Sequence, residues 1–163
     1  VINYGRPCVN SIRVGSVFCY DAPAMGTNLI QPNKGLKRRM HPPINVLGGP
    51  MVSCSHDPNT GWFRDGCCNT DDRDRGSHTV CCRVTHDFLR FIAVLGNDLI
   101  TPALNHGFPG LKPGDQWCVC AASWRQAFEA GVACPVVLEA THKSALEAVD
   151  MDMLLAHAIA ELA

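Results

Sequence analysis

Thr79-Val-Cys-Cys-Arg-Val-Thr-His-Asp-Phe-Leu-Arg-Phe-Ile-Ala-Val-Leu-Gly96 is the first stretch of the chain to carry regular period. Thr79 to Val84 is a short β-prone run. Thr85 then stands where a helix N-cap would, with Phe88, Leu89, Ile92 and Leu95 at helical spacing behind it and Gly96 in the C′ position that stops a helix. A strand that feeds directly into an amphipathic helix marks the start of a mixed α and β domain.

Downstream the same grammar repeats. Residues 96–116 contain three prolines and four glycines and read as one long ordered loop, a kind of segment that is often functional. Trp117 to Cys120 reads as a second strand, and Trp124, Ala127 and Phe128 mark a helix that Gly131 ends. Pro135 to Glu139 reads as a third strand. A helix should begin at Thr141 or Ser144, since Ser144 has Glu147 at capping-box spacing. Asp150 can cap a last helix with Met151, Leu154, Leu155, Ala158, Ile159 and Leu162 on one face. The fold class expected is α+β: a small β-sheet with packed helices, with no internal repeat.

Upstream the period is lost. Asn45 to Ser77 is rich in turn residues (Gly48-Gly49-Pro50, Asp57-Pro58-Asn59, Asp65-Gly66) and should be loops with at most short strands. Residues 1–44 read as an extended arm with six basic residues (Arg6, Arg13, Lys34, Lys37, Arg38, Arg39) against Asp21 alone, whereas the rest of the chain holds 8 basic and 14 acidic residues. The division expected is therefore an arm, 1–44, and one domain, 45–163. An arm of this charge should meet an acidic surface, and its apolar residues should be buried by other protein subunits. Ile12, Val14, Phe18, Tyr20, Lys37, Arg38 and Arg39 are the contacts expected. The acidic body argues against nucleic acid as a partner. A chain that opens at Val1 with an Arg-bearing, acid-poor stretch fits the remnant of an organellar import region, mitochondrial or plastid; without that reading the location expected is cytoplasmic. No apolar run approaches the roughly 20 residues that cross a bilayer, and 18% charged residues is ordinary for a soluble globular protein.

Eight of the ten cysteines concentrate the chemistry: Cys54, Cys67-Cys68, Cys81-Cys82, Cys118-Val-Cys120 and Cys134 lie with His56, His78 and His142 in or near loops. Alternation puts Cys81 and Cys82 on opposite faces of a strand and Cys118 and Cys120 on one face. Zinc is the cofactor that Cys68, His78, Cys81 and one of Cys118 or Cys120 would take, although no CxxC pair is present. A thiol nucleophile at Cys67 or Cys68, on the turn Arg64-Asp65-Gly66, would need His78 brought to it as base. Against both stands the habit of cysteine to fill cores as a small hydrophobe. Loop oxygens at Asn97-Asp98, Thr101 and Gly114-Asp115 could bind a cation, or simply close Asx-turns. Trp62, Trp117 and Trp124 could line a pocket, or be core. Under either reading of a site, Cys67 or Cys68, His78 and Cys118 or Cys120 should converge on the Trp117–Cys120 strand. No disulfide is expected among the domain's cysteines, because a chain of this length should have core enough without staples.

The runs Asn45-Val-Leu-Gly, Thr60-Gly-Trp-Phe-Arg-Asp-Gly-Cys-Cys-Asn-Thr and Gly76-Ser-His-Thr-Val-Cys resemble one family. So do Gly96-Asn-Asp-Leu, Phe108-Pro-Gly-Leu-Lys-Pro-Gly-Asp-Gln-Trp-Cys-Val-Cys-Ala and Leu138-Glu-Ala-Thr-His. Together, over about residues 45–157, they resemble the bacterial family called domain of unknown function 2237. The resemblance implies that Cys54, Cys67, Cys68, Cys81, Cys118, Cys120, His78 and His142 are motif positions, that the run Asp71-Asp72-Arg73-Asp74-Arg75 departs from the pattern, and that the arm has no counterpart. It implies no activity. The function expected is that of an accessory or interaction subunit of a larger assembly, with a metal- or thiol-dependent enzyme at the Cys/His loops as the alternative.

Overall fold

The computed structural model describes residues 41–159. The arm contacts expected at Ile12, Val14, Phe18, Tyr20, Lys37, Arg38 and Arg39 lie outside the described residues. The elements are β1 (Val80–Arg83), α1 (His86–Val94), β2 (Gln116–Val119), α2 (Ala121–Glu129) and α3 (Met151–Ala156). Short 3-10 turns at Leu104–His106, Leu138–Ala140 and Lys143–Glu147 interrupt the connecting loops.

β1 and β2 pair antiparallel with Val80 opposite Val119, Cys81 opposite Cys118, Cys82 opposite Trp117 and Arg83 opposite Gln116. Opposed residues share a face, so Val80, Cys82, Trp117 and Val119 face one way and Cys81 and Cys118 the other. The interior is divided accordingly. The first face joins the main apolar core with Phe88, Leu89 and Ile92 of α1, Ala121, Trp124 and Ala127 of α2, and Leu154 of α3. The second face joins a smaller cluster of Met51, Cys54, Cys67, Cys68 and Ala140 beneath the 45–77 loop.

The helices follow their local signals. The Thr85 hydroxyl accepts from the Phe88 N–H at 3.2 Å to cap α1. Trp124, fully buried on α2, donates its indole N–H to the Cys134 carbonyl at 3.0 Å, which removes the penalty of burying that donor. The 45–77 loop is organised by side chains instead. Asn45 accepts from the Leu47 and Gly49 N–H groups and donates to the Pro50 and Glu139 carbonyls. Gly61 has a φ of +95°, and a Cβ there would lie 2.1 Å from the Cys67 carbonyl oxygen, so only glycine fits that crossing.

Four local expectations are corrected. Pro135 to Glu139 is not a strand: Val136 alone bridges to Cys82 on one side and Ala158 on the other. The chain then tightens at Leu138–Ala140, and the Thr141 hydroxyl, not a backbone carbonyl, takes the Cys81 N–H. The segment expected to start a helix at Thr141 or Ser144 is a 3-10 turn capped by His142, whose Nδ1 accepts from the Ser144 N–H. α3 ends at Ala156, so its face is short: Leu154 is buried while Leu155 is exposed.

Disulfides, the fourth correction, join Cys54 to Cys81 and Cys68 to Cys118. Length was the wrong measure of need. Among the described residues only two four-residue strands and three helices of nine, nine and six residues are regular, and the 45–77 loop shows no apolar period of its own. The two disulfides tie it to the ribbon and supply most of the small core.

The pairs are 27 and 50 residues apart in sequence, for which loop-closure entropy gives about 3.5 and 4 kcal/mol respectively. Paired serine variants (Cys54 with Cys81, Cys68 with Cys118) should lose roughly those amounts in urea unfolding, the second pair losing more. A further expectation concerns acid. Burial, the largest cause, holds the His142 pKa below its ordinary 6.5, and its Nε2–H donates to the Pro42 carbonyl. The unfolded chain therefore takes up a proton that the folded one refuses. Stability should be complete above about pH 6.5 and fall as pH drops below it, until the folded-state value is passed. Urea midpoints across that range should show this slope, and His142→Gln should flatten it.

Candidate functional site

Continuing the ribbon register one step past Val80 and Val119 brings Thr79 opposite Cys120, and His78 next to it. β2 ends at Val119, and Cys120 is the N-cap of α2. It is thus released from strand alternation, and the expectation that it shares a face with Cys118 is corrected. Its sulfur lies 3.1 Å from His78 Nε2, whereas Cys118 is bonded to Cys68 in the small core.

The approach of His78 is built by residues 70–77. Asp74 closes a turn with Ser77, whose N–H donates to the Asp74 carbonyl. The Asp74 side chain folds inward and is fully buried. One carboxylate oxygen accepts from the His78 ring Nδ1–H at 2.5 Å. The other accepts from the His78 backbone N–H at 2.8 Å and the Thr70 hydroxyl at 3.0 Å. A buried carboxylate needs such donors to offset its lost hydration. Because a carboxylate only accepts, Nδ1 carries the proton, and Nε2 presents a lone pair to the Cys120 thiol.

Two backbone features make the approach possible. Ser77 has a φ of +49°, a conformation disfavoured for a residue with a Cβ. Its carbonyl accepts from the Ala121 N–H at 3.0 Å, tying the loop to the first turn of α2. At Gly76 an added Cβ would lie 2.8 Å from His78 Cε1 and 2.9 Å from Cys120 Sγ, so a methyl group would wedge the pair apart. The Trp62 ring stacks on His78, with centroids 5.8 Å apart and planes 13° from parallel.

A small cleft opens beside the pair, with Phe88, Leu99 and Trp117 as its apolar wall and Asn97 and Ser123 as polar groups. Cys120, half-buried at the N-terminus of a nine-residue helix, sits where the helix dipole favours an anionic sulfur. Cys, His and Asp in this order of contact make a nucleophile, a base and a group that orients the base.

The residues singled out from sequence are thereby sorted. His78 is in the site. Among the described residues the thiols are Cys82, Cys120 and Cys134, so Cys67 and Cys68, expected as nucleophiles, are not thiols here. Cys82 is an unreactive thiol, its pKa pushed up by burial first and by Cys134 second. The set Cys68, His78, Cys81, Cys118 and Cys120 does not close on one point. His78 meets Cys120 at one end of the ribbon, while the sulfurs of Cys68 and Cys118 gather with that of Cys54, within 4.8 Å of one another, on its second face. Asp98 and Asp115 close turns, accepting from the Ile100 and Thr101 N–H groups and from the Lys112 N–H. Trp124 is core, Trp117 is buried in the core and also walls the cleft, and Trp62 stacks on His78.

Asp74 was not expected. The run Asp71-Asp72-Arg73-Asp74-Arg75 has the look of a solvated charge cluster, and an aspartate four residues before a loop histidine was the available signal. For Cys120 the signal was its place immediately before the helix.

A family model described as "Uncharacterized protein conserved in bacteria (DUF2237)" matches residues 44–158. The curated proteins contain no match to the chain.

If His78 activates Cys120, alkylation of Cys120 by iodoacetamide at neutral pH should slow by at least about tenfold in His78→Ala, since the thiolate is the reacting species. Gly76→Ala should slow it in the same direction. Peptide mass mapping of the alkylated chain reads both, and unchanged rates would separate the two side chains functionally.

Proposed function

The chain belongs to the family described as uncharacterized proteins conserved in bacteria (DUF2237), and we propose that this member is a thiol-dependent acyl hydrolase or acyltransferase with Cys120 as its nucleophile. The observation that carries the reading is the 3.1 Å contact of Cys120 Sγ with His78 Nε2, together with the buried Asp74 on the opposite ring nitrogen.

In the proposed reaction His78 Nε2 accepts the Cys120 S–H proton, and the sulfur bonds to an acyl carbonyl carbon while the carbonyl electron pair moves onto oxygen. Collapse of that adduct breaks the bond to the leaving group, which takes the proton from His78. A thioester on Cys120 remains. Water, or another acceptor, then gives His78 a proton and attacks the thioester, and the proton returns to sulfur as it leaves. Asp74 keeps the imidazole in the required tautomer throughout. In the first turn of α2 the Ala121 N–H is taken by Ser77. The first-turn N–H groups of a helix have no intrahelical acceptor, so in the proposed reaction those of Ala122 and Ser123 are the donors offered to a developing oxyanion. The small, apolar cleft wall favours a short apolar acyl group over a peptide.

Docking into a larger, organellar assembly through residues 1–44 is a separate proposal. It rests on the basic charge and apolar content of that arm and is compatible with an enzymatic domain.

The enzyme reading is tested with p-nitrophenyl and thiol esters of short acyl chains on the full chain. Intact-mass analysis should find an acyl adduct on Cys120. Cys120→Ala should abolish turnover, and Asp74→Asn should lower kcat/KM by about 100- to 10,000-fold. Turnover that survives Cys120→Ala would remove the proposal.

A further inference from the structure

We infer that the sulfur cluster on the second face of the ribbon is a redox-switched metal site, in which Cys54, Cys68, Cys81 and Cys118 hold one zinc ion when reduced. The Sγ atoms of Cys54, Cys68 and Cys118 all lie within 4.8 Å of one another, and Cys81 is bonded to Cys54. All four are buried, at 5%, 0%, 0% and 1% exposure in chain order. Zinc bound tetrahedrally at about 2.3 Å from each sulfur sets the sulfurs roughly 3.8 Å apart. The three mutually close sulfurs already approach that spacing, and Cys81 Sγ, which is bonded to Cys54 and lies outside the 4.8 Å set, turns in to complete the tetrahedron once the two S–S bonds are cleaved.

The scaffold holds the donors in place. Cys81 and Cys118 are directly opposed on the ribbon. Their N–H groups are taken outward by the Thr141 and Thr60 hydroxyls at 3.1 and 2.8 Å, which makes them a non-hydrogen-bonded pair, whose side chains stand closest. Cys54 and Cys68 come down from the loop, Cys54 through its N–H to the Gly66 carbonyl. The spacing of these four in sequence lacks the short CxxC step of common zinc sites, but tetrahedral coordination depends on positions in space. An all-thiolate set selects soft, tetrahedral ions, zinc foremost.

The chemistry balances. A reductant of the thiol or phosphine class delivers two electrons to each disulfide, and two protons are taken up per bond broken, giving four thiols. Zinc binding releases four protons and forms four Zn–S bonds. A peroxide or a small disulfide as oxidant reverses the sequence by accepting four electrons, restoring both S–S bonds and freeing the ion. In a reducing compartment the metal would thus do the cross-linking that the disulfides do in an oxidising one. The site is independent of Cys120 and His78.

The full chain, reduced with a phosphine under argon and freed of reductant, should be titrated with Co2+ as a spectroscopic probe. One equivalent should bind, with the d–d and sulfur-to-cobalt absorption of a tetrahedral thiolate site, and Zn2+ should displace it. Cys54→Ser and Cys118→Ser should weaken binding by more than about 100-fold, the most that loss of an outer-shell partner alone costs. Cys120→Ser should leave it unchanged. Because the reduced variants can unfold, the reduced wild-type chain provides the second reading: Zn2+ should raise its melting temperature and a chelator should reverse the rise. Failure of the reduced wild-type chain to bind stoichiometric metal, full binding by Cys54→Ser, or loss of binding in Cys120→Ser would each overturn the assignment.

Discussion

The pairing of Val80–Arg83 with Gln116–Val119 in a single antiparallel register is the constraint on which the rest of the molecule depends. A shift of one residue would turn every side chain of one strand to the other face. Cys118 would then lose its place opposite Cys81, Trp117 would leave the core, and Cys120 would no longer stand beside the residues that precede β1. The register is held by what it buries. Val80, Cys82, Trp117 and Val119 pack with α1 and α2 in one contiguous core, where each large apolar side chain contributes roughly 1.5–3 kcal/mol. The opposite face is held covalently by the two disulfides. So short a ribbon would be marginal alone; it is covered on both faces.

One end of that ribbon carries the Cys120, His78 and Asp74 constellation, and its cost is visible in the backbone. Ser77 adopts a positive φ and Asp74 is buried, two features that a purely structural loop would avoid. Both are compensated locally, Asp74 by three hydrogen bonds and Ser77 by the Ala121 and Thr79 N–H groups that its carbonyl accepts. The imidazole is therefore fixed before any ligand arrives: Asp74 holds its Nδ1 and Trp62 covers its face. Catalytic groups require this kind of preorganisation. The Cys120 thiol lies at the end of that ribbon, while the sulfurs of Cys54, Cys68 and Cys118 gather on its second face.

What the sequence made legible was local. The strand at Thr79–Val84, the Thr85 cap and the Gly96 stop were readable because each depends on residues within a few positions of one another, and the observed β1 and α1 differ from that reading only at their ends. The loop-rich character of 45–77 was legible for the same reason. The site was half legible: His78 was singled out as a zinc ligand and as the base for a thiol at Cys67 or Cys68, and Cys120 as an alternative to Cys118, but the two were not paired with each other. Their contact spans 42 residues, a distance at which no periodicity speaks. Asp74 was hidden inside a charged run in which Asp72 is 62% exposed while Asp74 is fully buried, and composition treats the two alike. The disulfides were missed because chain length was taken for core size; the loop's lack of apolar periodicity was the better guide.

The ribbon register seats the His78 imidazole between Asp74 and the Cys120 thiol, an arrangement that nitrogen-15 NMR of the histidine rings can read. His78 should show a protonated Nδ1 in a hydrogen bond protected from exchange, and an Nε2 resonance that moves in Cys120→Ser but not in Cys82→Ser. A His78 spectrum like that of the exposed His86 or His106, unchanged by Cys120→Ser, would contradict it.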